Sequence, residues 1–269
     1  MGYRVGRGVI MSAKDLRLVT DDWPYEPGQI SVRRVRGADN HLKIQMRVDL
    51  GVLQMEVQGR PDGTRPHGYD SLLEYQKDRI EAYRRRNGND LGFVLDPAEC
   101  REIRDEAIQY SQRYLANFVL EDYPAVADDT RRNLDVLDLC LTYAQEDDDR
   151  FALEAYRPYI LMMHHQCLAL AAMNIGDYRS ALQHVEGGIR AIRVLFEKHG
   201  QAKAWRRCGE IQVLRALRRE IHRRLPVDHV RQLKRLLRRA VHLERYEEAA
   251  RLRDQLSAIR HGPQESSSM

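Results

Sequence analysis

Residues 175–194 read IGDYRSALQHVEGGIRAIRV. Gly176–Asp177 stops one helical run and Tyr178 opens the next, because glycine accepts the left-handed backbone that ends a helix. Ala169 before the break and Ala181 and Gly188 after it are small, and small residues let paired helices approach closely. Residues 120–139, LEDYPAVADDTRRNLDVLDL, echo this stretch at an offset of 55. Asp122–Tyr123 matches Asp177–Tyr178, Val126 matches Ala181, and Leu134 matches Ile189. Two helical hairpins built on one plan are expected.

Working outward, everything after Tyr69 reads as helix. The candidate segments are 69–86, 97–121, 124–145, 149–175, 178–199, 201–225, 228–243 and 246–260. They are separated by Asn87–Asn89, Asp122–Pro124, Glu146–Asp149, Gly176–Asp177, Gly200, Pro226 and Glu244–Arg245, where glycine or proline commonly breaks the pattern. Pro158 either kinks 149–175 or marks its true start. Before Tyr69 the period changes. ISVRRV (30–35) is rich in β-branched residues, and KIQMRVDL (43–50) alternates, with Ile44, Met46, Val48 and Leu50 on one face. LQMEV (53–57) alternates again. Period-two alternation is the mark of a half-buried strand, so a small antiparallel meander is expected, with Gly37–Asn40 and Leu50–Gly51 as turn candidates. GRPDGTRPHG (59–68) holds three glycines and two prolines and reads as the loop joining sheet to helices.

Helical packing of this kind resembles the tetratricopeptide repeat (TPR), with Ala169, Gly176–Asp177–Tyr178, Ala181 and Gly188 where that repeat carries small residues, a turn and an aromatic. The offset of 55 is longer than the repeat's roughly 34 residues. The resemblance therefore implies a TPR-like body with long helices, not a regular array.

The chain has 269 residues, 43% of them hydrophobic and 31% charged, enough to bury a core without staples. No apolar run approaches the roughly 18 residues of a membrane span, so no membrane association is expected. Cys100, Cys140, Cys167 and Cys208 stand alone, which argues against a disulfide framework or a cysteine zinc site and fits a reducing cytoplasm. The apolar stretch Val9–Met11 is too short for an export signal, and MSAKDLRL from Met11 reads as a natural start. Residues 1–200 carry 27 basic and 32 acidic residues, and 201–269 carry 17 basic and 8 acidic. Within the first part, 89–154 holds 17 acidic against 6 basic residues. An acidic middle and a basic end can attract each other, and a basic end can meet nucleic acid or an acidic protein.

The most specific signal is residues 233–260, LKRLLRRAVHLERYEEAARLRDQLSAIR. Leu233, Leu236, Leu237, Ala240 and Val241 form one apolar stripe at helical spacing. Ala249, Leu252, Leu256 and Ile259 form a second one after the short joint Leu243–Tyr246. Two stripes across a short joint make an antiparallel helical hairpin, with Tyr246 expected to plug its open end. Tyr246–Glu247–Glu248–Ala249–Ala250 followed by Leu252–Arg253–Asp254 resembles the UVR motif of the bacterial excision-repair proteins UvrB and UvrC. The resemblance implies a docking or dimerising hairpin, as in the contact that joins UvrB to UvrC. Similar hairpins occur in Clp-type ATPases and in activators of bacterial protein-arginine kinases, so the motif marks interaction. The chain has no G-x-x-x-x-G-K-[ST] phosphate loop, no UvrC-like nuclease signature and no zinc-binding cysteine cluster.

Other constellations carry less. His164 and His165 are adjacent and so point about 100° apart on a helix, unlike i, i+4 metal ligands. Glu146–Asp149 lacks the alternation of a calcium loop. The 59–68 loop is the one place an enzyme site would sit, but no acid, base or nucleophile arrangement accompanies it, so no enzyme and no cofactor or metal is expected. The arginine doublets Arg206–Arg207, Arg218–Arg219, Arg223–Arg224 and Arg238–Arg239 lie mostly off the apolar stripe of 201–225, and exposed arginines either contact phosphates or flank a coiled coil.

The sequence thus reads as mainly α. A flexible N-terminus (1–20) precedes the β-meander and loop (21–68), a TPR-like helical domain (69–226), a UVR-like hairpin (227–261) and a disordered tail (262–269). It is expected to be a non-enzymatic, bacterial-type adaptor. Its partner-binding residues are Leu233, Leu237, Ala240, Tyr246, Ala249, Leu252, Leu256 and Ile259, with self-association through the same hairpin as a further outcome. The alternative is a nucleic-acid-binding accessory factor linked to excision repair, with Arg218, Arg219, Arg223, Arg224, Arg238 and Arg239 on phosphates.

Overall fold

The computed structural model describes residues 15–201, 203–225 and 229–261. The first part of the expected N-terminal tail (1–14), the break at Pro226 and the tail at 262–269 lie outside the described residues. The chain divides into two compact units, Met1–Ile221 and His222–Met269.

The first unit opens with a single turn of helix, α1 (Arg17–Thr20), and a three-stranded antiparallel sheet in the order β1 (Ser31–Arg36), β2 (Leu42–Val48), β3 (Gly51–Glu56). The alternation sets the inward face: Ile44, Met46 and Met55 are buried in one cluster with Ala116. Leu50 departs from the expected face. Val48 pairs with Gly51, which leaves Asp49–Leu50 as a two-residue turn with Leu50 91% exposed. The opposite face is also partly covered. Lys43, 7% exposed, bonds Asp39 at 2.7 Å and also Glu56, and Arg33 lies 4.2 Å from the Trp23 ring centroid.

The helices of this unit are α2 (Leu72–Asn87), α3 (Pro97–Val119), α4 (Tyr123–Tyr143), the short α5 (Asp147–Phe151), α6 (Arg157–Asn174), α7 (Tyr178–Lys198) and α8 (Gly209–Arg224), whose last turn enters the second unit. Their starts follow from local chemistry. Ser71 caps α2, and Asp96 and Glu99 form a reciprocal capping box at α3, satisfying amides that a helix start leaves free. Two expected segments are shorter than their periodicity suggests. The segment 149–175 breaks into α5, a 3-10 turn at Glu154–Tyr156, and α6, because Pro158 has no amide to donate and belongs in a first turn. The segment 201–225 begins as a 3-10 turn, Ala204–Arg207, and turns α-helical only at Gly209. Consecutive helices pack side by side, α3 on α4, α4 on α6 and α6 on α7. The main core joins α2, α3 and α4 through Leu73, Leu95, Ile103, Val136 and Cys140.

The 59–68 loop is a fastened connector. Arg113 donates from Nη1 to the carbonyls of Gly59 (2.7 Å) and Glu56 (3.1 Å), and grips Asp129 with its other nitrogens at 2.9 and 2.6 Å. Asp62 accepts from the Thr64 amide and hydroxyl and from Gln109. Close by, Glu106, fully buried, accepts the Leu72 amide at 2.8 Å and pairs with Arg132, with Arg60 at 3.4 Å. The Tyr110 ring lies against both arginines, 4.8 Å from Arg113 and 3.6 Å from Arg132. A buried carboxylate is tolerated when cations and amides share its charge in this way.

The second unit contains α9 (His229–His242) and α10 (Tyr246–His261), packed on each other as a hairpin.

Candidate docking site

The α9–α10 joint repeats a device found twice in the first unit. At Leu120–Tyr123, Ile175–Tyr178 and Leu243–Tyr246 the second residue has positive φ: Glu121 57°, Gly176 77° and Glu244 56°. In each, that residue's amide and the next one return to the preceding helix. Glu121 and Asp122 donate to Phe118 and Asn117, Gly176 and Asp177 to Met173 and Ala172, and Glu244 and Arg245 to Val241 and Ala240, at 2.9–3.1 Å. This is the Schellman closure, which satisfies carbonyls that a helix end leaves orphaned. On either side of each joint, the residues nine apart are buried: Asn117 and Val126, Ala172 and Ala181, Ala240 and Ala249. The expected echo of two hairpins is therefore an echo of three.

Within the hairpin, Ala240 (3% exposed) and Ala249 (7%) form the closed end of the seam. Leu233, Leu236 and Leu237 on α9 and Leu252 and Leu256 on α10 are half-buried, each keeping an outer edge. Helical geometry puts Leu252 and Leu256 on the same side of α10 as Ala249. They face the sister helix first and a partner only by their edges. The helix runs through Ile259, whose side chain lies outside the described ones. Two expectations change. Tyr246 does not plug the hairpin: it is 68% exposed, and the backbone bonds close the joint without it. Val241 lies off the seam at 53% exposure, and Leu243 is 47% exposed. Val241, Leu243 and Tyr246 thus make an exposed apolar group at the joint. Leu243 carries no role in the sequence reading and Val241 sits in its apolar stripe, because helical spacing reports the face toward the sister helix and says nothing of a turn.

The basic candidates separate. On α9, Lys234, Arg235, Arg238 and Arg239 are all exposed. At 100° per residue they fall within an arc of about 140°, opposite the leucines. Helix α9 carries no Asp or Glu, and among the described residues no ion pair engages these four. On α8 the stripe Ile211, Leu214 and Ile221 is fully buried, Arg218 is half-buried, and Arg219, Arg223 and Arg224 are exposed. Arg223 and Arg224 already interact with neighbours.

The buried cysteines and the histidine pair of the body belong to its core. Burial pushes the Cys100 and Cys167 thiols up to about 12 and Cys140 to about 11, so they stay protonated and inert. His164 is a core histidine: Nδ1 lies 3.0 Å from Thr130 Oγ1 and 3.1 Å from the Ala127 carbonyl. Burial holds His165 down to about 4, aided by the charge of His164 beside it. Among the described residues, no group of His, Cys, Asp or Glu is arranged to hold a metal, and no helix is long and apolar enough to cross a membrane.

No curated protein and no solved structure matches the chain. Residues 230–262 match the family model UVR, the UvrB/uvrC motif, and this is the stretch that α9 and α10 occupy. The chain therefore ends in a UVR motif carried as a compact helical hairpin behind a separate body of sheet and helices.

Proposed function

We propose that the protein is a non-enzymatic adaptor whose UVR hairpin docks a protein partner through its joint. The observation that carries this reading is the exposed apolar group Val241, Leu243 and Tyr246 on a hairpin whose seam is already closed by Ala240 and Ala249. Apolar side chains held out on a small separate unit are what a partner surface covers. The UVR match supports the same reading, since the motif is the hairpin that joins UvrB to UvrC. A TPR-like packing of the body would give such an adaptor a second surface. The decisive experiment is affinity capture with full-length protein carrying Val241→Asp and Tyr246→Asp. Both positions are exposed, so helicity is retained while captured partners are lost. Unchanged capture would remove the docking role. A second copy of the chain in the eluate would identify self-association as the contact.

A second reading is favoured by the uncompensated basic face of α9. Lys234, Arg235, Arg238 and Arg239 fit a phosphate backbone, which makes nucleic acid the partner and excision repair the natural setting. Affinity for a short DNA duplex then falls steeply with salt, and changing these four residues to Ala flattens the log–log slope by about one unit per phosphate contact removed. Absence of binding at low salt would end this reading.

A further inference from the structure

A groove of about 670 Å³ runs along the body where α4, α5, α6 and α7 come together. Leu141, Phe151 and Val194 line it at 39%, 53% and 39% exposure, and Leu161, Ala191 and Leu195 are half-buried in it. Large apolar side chains gathered on one groove form a patch, which calls for a partner where single exposed ones do not. The two sides of the groove differ in charge. On α7, Arg190, Val194 and Lys198 fall at i, i+4 and i+8 and make one ridge, with His199 exposed beside it. Arg190 and Lys198 are exposed, and among the described residues no ion pair engages either of them, while Arg193 and Glu197 pair with each other at 3.2 Å. On α5, Asp147 and Asp148 lie four and three residues before Phe151 and so share its face. The Asp147 side chain is 81% exposed and meets only Arg150, at 3.4 Å, and Asp148 is exposed with no ion pair among the described residues. Between the two sides the charges are already matched. Asp138 and Glu154 share Arg157 at 2.7 and 2.6 Å, and burial keeps His165 neutral.

One side thus presents a basic ridge beside the small Ala191, and the other an acidic turn that carries an exposed phenylalanine. Each side is the chemical complement of the other, and among the described residues no ion pair joins them within the chain. Such a patch suits a two-fold contact, because the rotation lays each half of one copy against the opposite half of the next. We propose that this groove is the contact between two copies of the chain in a symmetric dimer. Phe151 of each copy enters the groove of the other against Ala191 and Val194, and Asp147 and Asp148 meet Arg190 and Lys198. A foreign acidic peptide would match the α7 ridge alone and leave Phe151 and the two aspartates uncovered, so a second copy is the occupant that uses the whole patch. Exposed charge pairs of this kind set orientation and are screened by salt. The surface lies wholly within the body, and the contact does not depend on the role of the hairpin.

The test is sedimentation velocity on full-length protein over a concentration series. The expected result is a monomer–dimer equilibrium that weakens as salt rises. One variant carries Arg190→Glu and Lys198→Glu, and a second carries Asp147→Lys and Asp148→Lys. All four positions are exposed, so the fold is retained. Each variant alone should raise the dimer dissociation constant by about tenfold or more, because every charge pair across the axis becomes repulsive. Mixing the two should restore association as a heterodimer, since both reversed sides again meet opposite charge. Neither unfolding nor a local structural role produces that rescue. Phe151→Ser should weaken the dimer without reversing any charge. Each measurement is repeated with Tyr246→Asp, which removes self-association through the hairpin and should leave this equilibrium unchanged. A chain that stays monomeric throughout, a mixture that does not re-associate, or a dimer lost with Tyr246→Asp but kept by the charge reversals would each overturn the proposal.

Discussion

At Gly188, α7 lies close against His165 of α6 and Leu214 of α8. A methyl group there would lie 2.7 Å from His165 Cβ and 3.1 Å from Leu214 Cδ1. The first of these atoms is fixed to backbone and cannot swing away. Gly188→Ala should therefore lower stability by about 1–3 kcal/mol, the usual penalty of overpacking, despite alanine's better helix propensity. A melting temperature at or above that of the wild type would contradict the close contact. His165 on the facing helix makes a pH prediction. Its folded value of about 4 lies below the ordinary 6.5, so the unfolded chain binds more protons between those two values. Stability conferred by neutral His165 is present above about pH 6.5 and lost as pH falls toward 4. Urea midpoints measured at pH 7 and pH 5 should fall in the wild type and fall less in His165→Gln. His164, also held down by burial, keeps the remaining slope. Both residues were legible only in part. The small residues at 169, 181 and 188 announced close packing, but no periodicity in the sequence says that a histidine sits against the glycine.

At the scale of elements, the three joints show which local rules the chain obeys and which it overrides. Gly176 occupies the left-handed position at no steric cost, whereas Glu121 and Glu244 hold it with a Cβ. A side chain there costs roughly 1–2 kcal/mol. Glu121→Gly and Glu244→Gly should each stabilise their hairpin by up to about 1 kcal/mol, less the entropy that glycine adds to the unfolded chain. Chemical denaturation checks the first, and hydrogen exchange confined to 229–261 checks the second. Losing stability at either position would mean that the glutamate side chain contributes something the backbone geometry does not explain. Most helices and strands were readable because their period and their stops agree. The misread boundaries are informative in turn. Leu50 fits both the alternation of β2 and the expected turn at Leu50–Gly51, and pairing of Val48 with Gly51 puts it in the turn, one residue earlier, at Asp49–Leu50. Tyr246 looked like a plug because aromatic residues often fill gaps, yet the joint is closed by amides that a sequence does not display.

Over the whole molecule, the charge asymmetry resolves into two different situations. The acidic surplus of 89–154 is partly offset inside the body, by Arg34–Asp122, Lys77–Asp135, Arg79–Glu99, Arg84–Asp90 and Arg157–Asp138, while Arg104–Asp149, Arg113–Asp129 and Arg132–Glu106 pair charges within the stretch. Counting charges along the chain could not reveal this, since several partners lie outside the acidic stretch. Of these carboxylates, the one most deeply set is Glu106, fully buried and paired with Arg132. Glu106→Ala should cost about 3–5 kcal/mol, because it strands the mostly covered Arg132 and leaves the Leu72 amide at the start of α2 without its acceptor. A loss below about 1 kcal/mol in denaturant titration would show that the group is replaceable. Added salt should alter the stability of the body little, since buried pairs are poorly screened, yet act strongly on anything bound to the exposed face of α9.

The shared joint also bears on the order in which the chain folds. Each joint closes with bonds between residues five or fewer positions apart, so α3–α4, α6–α7 and α9–α10 can find their register without waiting for the rest. Short-range closure is fast, and pairings across long stretches of chain are slow. The contacts that tie sheet and loop to the helices span far more: Arg113 to Gly59 is 54 residues and to Glu56 is 57, and Arg34 to Asp122 is 88. Helical hairpins should accordingly acquire amide protection first in pulsed exchange, with the sheet joining late. A hairpin that sets its own register as a separate compact unit is also one that a chain can gain, lose or exchange without rebuilding the body.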